Sequence, residues 1–276
     1  MTDKFTVSHF KEFKDKKNKI SILTAYDYPT AKILDETGVH SILVGDSLGM
    51  VVLGYEDTLK VTMNDMVHHI KAVSRATKRA FVIGDMPFLS YHTGISDSVT
   101  NAGRLVSEGG CKAVKLEGGI EIAEDIKAII KAGIPVMGHL GYTPQSINLF
   151  GGHKAQGKSF EIAQKIYSDA LALQEAGVFS IVLECVPYKL AAFITKKLDI
   201  PTIGIGSGPS CDGQVLVTHD IIGLAGDFSP KHAKKYIDVG SLIKSAVNNY
   251  MDEVDKELFP TIKNSFVVDE DIIKRL

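Results

Sequence analysis

Short apolar, β-branched runs alternate along this chain with longer amphipathic segments. The apolar runs predict strands at Ser21–Ala25, Ser41–Gly45, Ala80–Gly84, Ala113–Leu116, Pro135–Gly138, Ser180–Leu183, Thr202–Ile205 and Val215–Thr218. Between them the pattern predicts helices at Thr30–Thr37, Asn64–Thr77, Asp97–Glu108, Ile122–Lys131, Phe160–Ala176, Tyr188–Lys197 and Ala233–Val254. The helical period is clearest in Phe160–Ala176, where Ile162, Ile166, Ala170 and Leu173 fall on one stripe. Gly38, Gly109, Gly133 and Gly177 follow four of the helices and are expected to cap them, turning the chain back toward the sheet. Repetition of helix, glycine and short apolar strand means parallel strands with helical crossovers. Eight such units favour an α/β fold closed into a (βα)₈ TIM barrel over an open doubly wound sheet. No linker divides the chain, so one domain is expected over residues 1–276, with an N-terminal extension over 1–20 and a C-terminal tail over 259–276.

Composition agrees with that reading. The chain has 276 residues, the size of one α/β barrel, and 45% of them are hydrophobic, enough to form a core without disulfide or metal staples. A formal net charge of −2 supplies no basic field for nucleic acid. The three cysteines, Cys111, Cys185 and Cys211, are widely spaced and form no C-x-x-C pair. They argue against a disulfide framework or a zinc knuckle and suit a reducing, cytoplasmic compartment. The lysine-rich start, MTDKFTVSHFKEFKDKKNK, has no apolar core of the secretory kind and is expected to form a solvated leading helix. No apolar run is long enough to span a bilayer.

The chemistry sits where the strands end. The runs read SILVGD, FVIGD, AVKLEGG, IPVMGHLG and SIVLE, so Asp46, Asp85, Glu117, His139 and Glu184 each follow or finish an apolar run. In a βα barrel those ends converge on one face, the face that carries active sites. An isolated acid at a strand end often caps the next helix. Three acids in successive units are harder to explain that way, because gathered carboxylates repel unless a cation joins them. Asp46, Asp85 and Glu117 offer only oxygen, which favours a hard ion, Mg²⁺ before Mn²⁺. Lys115 shares a strand face with Glu117, and either anchors a substrate carboxylate or forms a Schiff base. Glu184 is a candidate general base, with a salt-bridge partner as the alternative. His139 is either a hydrogen-bond donor to substrate or a satisfied core histidine. The segment Gly204–Gln214 reads as a phosphate cradle or a flap, and Thr143–Lys158 as a lid or second-substrate loop.

At these residues the sequence resembles the ketopantoate hydroxymethyltransferase (3-methyl-2-oxobutanoate hydroxymethyltransferase) family of pantothenate biosynthesis. The likeness is carried by LTAYDYPTAK, LVGDSLGM, VIGDMPF, VKLEGG, GHLGYTPQS, FGGHKAQGK, LECVP and IGIGSGPSCDGQ, in that order. It covers nearly the whole chain and is weakest in the lysine-rich start and beyond Ser265. The resemblance implies that Asp46 and Asp85 bind Mg²⁺ and that Glu117 completes the site. It implies that Ser47 and Lys115 hold a 2-oxo acid, and that Glu184 accepts a proton. It also implies 5,10-methylenetetrahydrofolate as one-carbon donor and a homodecamer.

Physical logic agrees with those implications. A 2-oxo acid can chelate Mg²⁺, which acidifies the neighbouring C3 hydrogen and stabilises an enolate. Glu184 would remove that proton from 3-methyl-2-oxobutanoate, and the enolate would attack the methylene carbon delivered by the folate. Two rivals stand beside this expectation. A carbon–carbon lyase of the phosphoenolpyruvate mutase/isocitrate lyase type shares the barrel, the acid-bound ion and the 2-oxo acid. It usually places a reactive cysteine near the pocket, whereas strand alternation is expected to turn Cys185 away from it if the strand continues. A non-catalytic barrel would have no need of acids at three strand ends.

Overall fold

The computed structural model describes residues 4–152, 156–224 and 230–276. The first part of the chain runs α1 (Val7–Asp15), β1 (Ile20–Thr24), α2 (Tyr28–Thr37), β2 (Ser41–Val44), α3 (Leu48–Val51), α4 (Met63–Ala76) and β3 (Phe81–Asp85). The middle runs α5 (Ile95–Arg104), a π-helical turn (Leu105–Gly109), β4 (Ala113–Glu117), α6 (Ala123–Lys131) and β5 (Val136–Gly141). Then come α7 (Ile147–Phe150), α8 (Phe160–Ala176), β6 (Ser180–Glu184), α9 (Tyr188–Lys197), β7 (Thr202–Ile205) and β8 (Gly213–Leu216). The chain finishes with α10 (Thr218–Ile222), α11 (Val239–Asp255) and α12 (Glu270–Ile273).

All eight strands are parallel and pair in sequence order, and β8 closes on β1. The expected (βα)₈ TIM barrel is therefore the fold. Its strands alternate between two apolar environments, as a two-residue period requires. Ile20, Ile22, Phe81, Ile83, Ala113, Met137, Val182, Ile203 and Val215 fill the inside of the barrel. Ile42, Val44, Val82, Val114, Leu116, Val136, Ile181 and Leu183 point outward and pack under the helices. Continuing the inward set by two residues leads from Ile83 to Asp85, from Ala113 through Lys115 to Glu117, from Met137 to His139 and from Val182 to Glu184. The same alternation that builds the core thus carries polar groups to its upper rim.

Several expectations are corrected. The leading helix α1 is not merely solvated: Phe10 is fully buried in the inner cluster, 5.7 Å from the Phe81 ring and 4.9 Å from that of Phe179. Burial of such a ring contributes about 1.5–3 kcal/mol, and here it plugs the N-terminal end of the barrel. A π turn extends the fifth helix by one residue, so Gly110 (φ +90°), not Gly109, is the left-handed cap. The last strand begins at Gly213, earlier than expected, and follows β7 through a loop without a helix. The final long helix starts at Val239; residues 233–238 are not helical. It has no buried residue, and Leu242, Ile243, Val247 and Tyr250 on it face solvent. No helix among the described residues is long and apolar enough to cross a membrane.

Candidate active site

The strand register sets the site. Asp85 on β3 pairs with Lys115 on β4, Glu117 with His139 on β5, and Gly141 with Glu184 on β6. Gly141 ends its strand at φ +98°, and a Cβ there would lie 2.2 Å from the Glu184 carbonyl oxygen. Only glycine permits that approach. It lets the Tyr142 amide donate to the same carbonyl (2.8 Å) and so fixes where Glu184 leaves its strand.

Asp46, Ser47, Asp85, Lys115, Glu117, His139 and Glu184 all line one cavity of 660 Å³ at the C-terminal mouth of the barrel. Its floor is the uppermost apolar layer, with Leu43, Val182, Ile205 and Val215. Its rim includes Asp220, Lys231 and His232, from the segment beyond β8. Among the described residues no three His, Cys, Asp or Glu side chains form a ready metal-coordinating group. As placed, the acids are instead met by protein donors. Lys115 Nζ lies 2.8 Å from Asp85 Oδ1, and the Asp46 backbone N–H donates to Asp85 Oδ2 (3.0 Å). Gln145 Nε2 donates to Asp46 Oδ2 (2.8 Å), and the Gln145 backbone N–H donates to Glu117 Oε2 (3.0 Å). Ser47 shares a 2.8 Å hydrogen bond with the buried Tyr26 hydroxyl.

Charge makes this a high-energy arrangement. Burial and then the charges of Asp85 and Glu117 push the Asp46 carboxyl well above its usual range. Glu117 is pushed up to about 7, by burial first, although Lys115 opposes the shift. Burial alone would depress the Lys115 ammonium, but Asp85, Glu117 and Asp46 outweigh it and raise its pKa. His139 is driven toward the neutral imidazole by burial and by Lys115. His139 Nδ1 lies 3.3 Å from Lys115 Nζ, and His139 Nε2 lies 3.3 Å from Glu184 Oε2. His139 Nδ1 also lies 3.2 Å from Glu117 Oε1. His139 is therefore buried between Glu117, Lys115 and Glu184, within the cavity.

The condition placed on Cys185 fails. β6 stops at Glu184, Cys185 turns to φ +52°, and it lines the cavity. Its thiol is pushed up to about 11 by burial and by Glu184, so it is not held as the thiolate that nucleophilic chemistry needs. Sequence reasoning missed Gln145, Tyr26 and Tyr91. Gln145 lies within GHLGYTPQS, in the segment assigned to a lid, and a neutral amide there carries no charge signal. Residues 153–155 of that segment lie outside the described residues. The Gly204–Gln214 segment is the short β7–β8 connection: Ser207 Oγ donates to Leu183 O (2.7 Å), and Gln214 Nε2 donates to Gly208 O (3.0 Å).

Comparison with known proteins agrees with this geometry. In overall fold the chain is similar to phosphonopyruvate hydrolase in complex with oxalate and Mg²⁺, with a TM-score of 0.62 at 11% identity, covering 97% of this chain and 93% of that one. It is also similar to 2,3-dimethylmalate lyase, a member of the PEP mutase/isocitrate lyase superfamily, with a TM-score of 0.57 at 15% identity over 95% and 91% of the two chains. Those likenesses establish the barrel alone. In sequence the chain is 72% identical to a 3-methyl-2-oxobutanoate hydroxymethyltransferase of Acetivibrio thermocellus, over 100% of this chain and 98% of that protein. It is 57% identical to the protein of that name from Clostridium botulinum, over 98% of each. A family model described as ketopantoate hydroxymethyltransferase matches residues 4–262, a span that takes in every strand and every side chain of the cavity. With barrel, cavity and sequence in agreement along the same stretch, the chain belongs to the ketopantoate hydroxymethyltransferase family.

Proposed function

We propose that this enzyme transfers a hydroxymethyl group from 5,10-methylenetetrahydrofolate to 3-methyl-2-oxobutanoate, giving 2-dehydropantoate for pantothenate and coenzyme A synthesis. The observation that carries the reading is the meeting of Asp46, Asp85, Glu117, Lys115, Ser47 and Glu184 around one cavity in a member of this family.

The donor set fits a hard divalent ion, with Mg²⁺ as the choice. Three buried acids share one lysine: Asp85 Oδ1 has Lys115 Nζ as its ion-pair partner at 2.8 Å, while Glu117 Oε1 accepts no well-formed hydrogen bond. Unpaired buried carboxylate oxygen is costly, and a cation removes the cost. Asp46, Asp85 and Glu117 would hold it. When bound, the ion supplies Lewis acidity toward the keto oxygen of the substrate.

The chain does the rest. Lys115 and Ser47 neutralise and orient the substrate carboxylate. The apolar floor of Leu43, Val182, Ile205 and Val215 receives the branched end of the substrate. Glu184, whose Oε2 lies 3.3 Å from His139 Nε2, takes the C3 proton. The carbon nucleophile so formed attacks the methylene carbon of the folate, and water releases tetrahydrofolate. The enzyme works in the cytoplasm, in keeping with free Cys111, Cys185 and Cys211. It assembles with copies of itself, a decamer by family resemblance. Support for self-association comes from the apolar side chains that α11 leaves in water.

The test is an assay of purified protein with 3-methyl-2-oxobutanoate, with and without methylenetetrahydrofolate. Formation of 2-dehydropantoate only when the folate is present supports the reading. Folate-independent cleavage of a 2-oxo acid substrate, with no transfer, would overturn it in favour of a lyase.

A further inference from the structure

We propose that Gln145 is a positioning residue that ties the segment after β5 to the acids of the cavity and sets their affinity for a divalent ion. The inference rests on the cation site proposed above and names a residue beyond it.

Gln145 lies in a single 3₁₀ turn, Pro144–Ser146, at the root of the Thr143–Lys158 segment, and is 7% exposed. Every polar group it carries near the cavity is committed. Its backbone N–H donates to Glu117 Oε2 (3.0 Å). Its side-chain Nε2 donates to Asp46 Oδ2 (2.8 Å) and to the Met86 carbonyl (3.0 Å). Its Oε1 accepts from the buried Tyr91 hydroxyl (2.8 Å). One residue thus grips acids that enter from β2 and β4, with a third contact just past β3.

The direction of the amide is what matters. A carboxamide has a donor end and an acceptor end, and reversing it would set two oxygens face to face at Asp46. Asp46 Oδ2 and the Met86 carbonyl, both acceptors, oppose that reversal, and Tyr91 supports the opposite end. The Tyr91 hydroxyl lies 2.8 Å from Gln145 Oε1 and 3.1 Å from the Glu117 carbonyl, both within reach of its proton, and it accepts the Glu117 backbone N–H at 3.2 Å. Tyr91 therefore orients Gln145, and Gln145 orients Asp46. Such outer partners fix the lone-pair direction of a ligating carboxylate, and losing one typically costs about 10–100-fold in metal affinity.

The experiment is Mn²⁺ titration by calorimetry on the purified full chain, without substrates, for the natural protein, Gln145→Met and Tyr91→Phe. Circular dichroism of each protein checks that the fold is kept. Gln145→Met keeps the backbone bond to Glu117 and the side-chain length but has no donor for Asp46. We expect its Mn²⁺ dissociation constant to rise about 10–100-fold. Catalytic turnover should recover at saturating Mn²⁺, a split that general loosening of the fold would not produce. Tyr91→Phe should move affinity the same way by a smaller factor, and it carries the test if Gln145→Met does not fold. Natural and variant proteins binding Mn²⁺ equally well would overturn the positioning role while leaving the cation site standing. A natural protein that binds no Mn²⁺ would overturn both.

Discussion

Lys115 Nζ lies 2.8 Å from Asp85 Oδ1, and the two residues are register partners on adjacent strands. The sequence left two uses open for this lysine, as a carboxylate anchor or as a Schiff-base nucleophile. The ion pair favours the first. A Schiff base needs a free amine, and the acids around Lys115 hold its proton more tightly than in an ordinary lysine. Treatment with 3-methyl-2-oxobutanoate and borohydride should leave Lys115 unmodified by mass spectrometry. A stable adduct on that residue would end the anchor assignment.

Glu184 should be separable from binding. Replacing it with Gln keeps its size and removes its basicity. Glu184→Gln is expected to bind 3-methyl-2-oxobutanoate within a few-fold of the natural protein, about 1 kcal/mol or less. It should abolish exchange of the C3 hydrogen with solvent deuterium, followed by proton NMR. Undiminished exchange in that variant would assign proton removal to another group.

Asp46 and Glu117 both hold protons more tightly in the folded protein than a carboxylate does in a disordered chain. Their contribution to metal-free stability is therefore fullest below the usual carboxylate range and declines as pH rises toward the Glu117 value of about 7. A divalent ion replaces those protons, so its stabilising effect must grow over the same window. The rise in Tm on adding Mg²⁺ should be larger at about pH 8 than at about pH 5. A rise that is equal at both would contradict the carboxylate cluster as the binding site.

Phe10 should matter for folding and not for chemistry. It is fully buried at the opposite end of the barrel from the cavity, against Phe81 and Phe179. Phe10→Ala should cost about 3–5 kcal/mol in denaturant unfolding, with KM for the 2-oxo acid unchanged. A loss under about 1 kcal/mol would mean that α1 is dispensable to the core.

What could be read from the chain, and what could not, divides along physical lines. Asp85, Lys115, Glu117 and Glu184 were legible because each continues the two-residue alternation of an apolar run, so a local pattern names both the strand and the direction of the side chain. β8 was misplaced because its first residue, Gly213, carries no apolar signal. It is glycine because a Cβ would lie 2.5 Å from the Ile20 carbonyl oxygen, a contact made only by barrel closure. Gln145 and Tyr91 were invisible for a related reason: neutral polar residues take their meaning from partners 54 and 99 positions away. Phe10 was hidden by its lysine-rich surroundings, since one apolar stripe on a charged helix suffices to bury a ring.

The helix that seals the lower end of the barrel has a consequence for traffic. With a phenylalanine corked into that end, the cavity opens, among the described residues, above the strand tips. Anything that reaches the acids therefore passes the rim that Asp220, Lys231 and His232 help to form, not the lower end of the barrel.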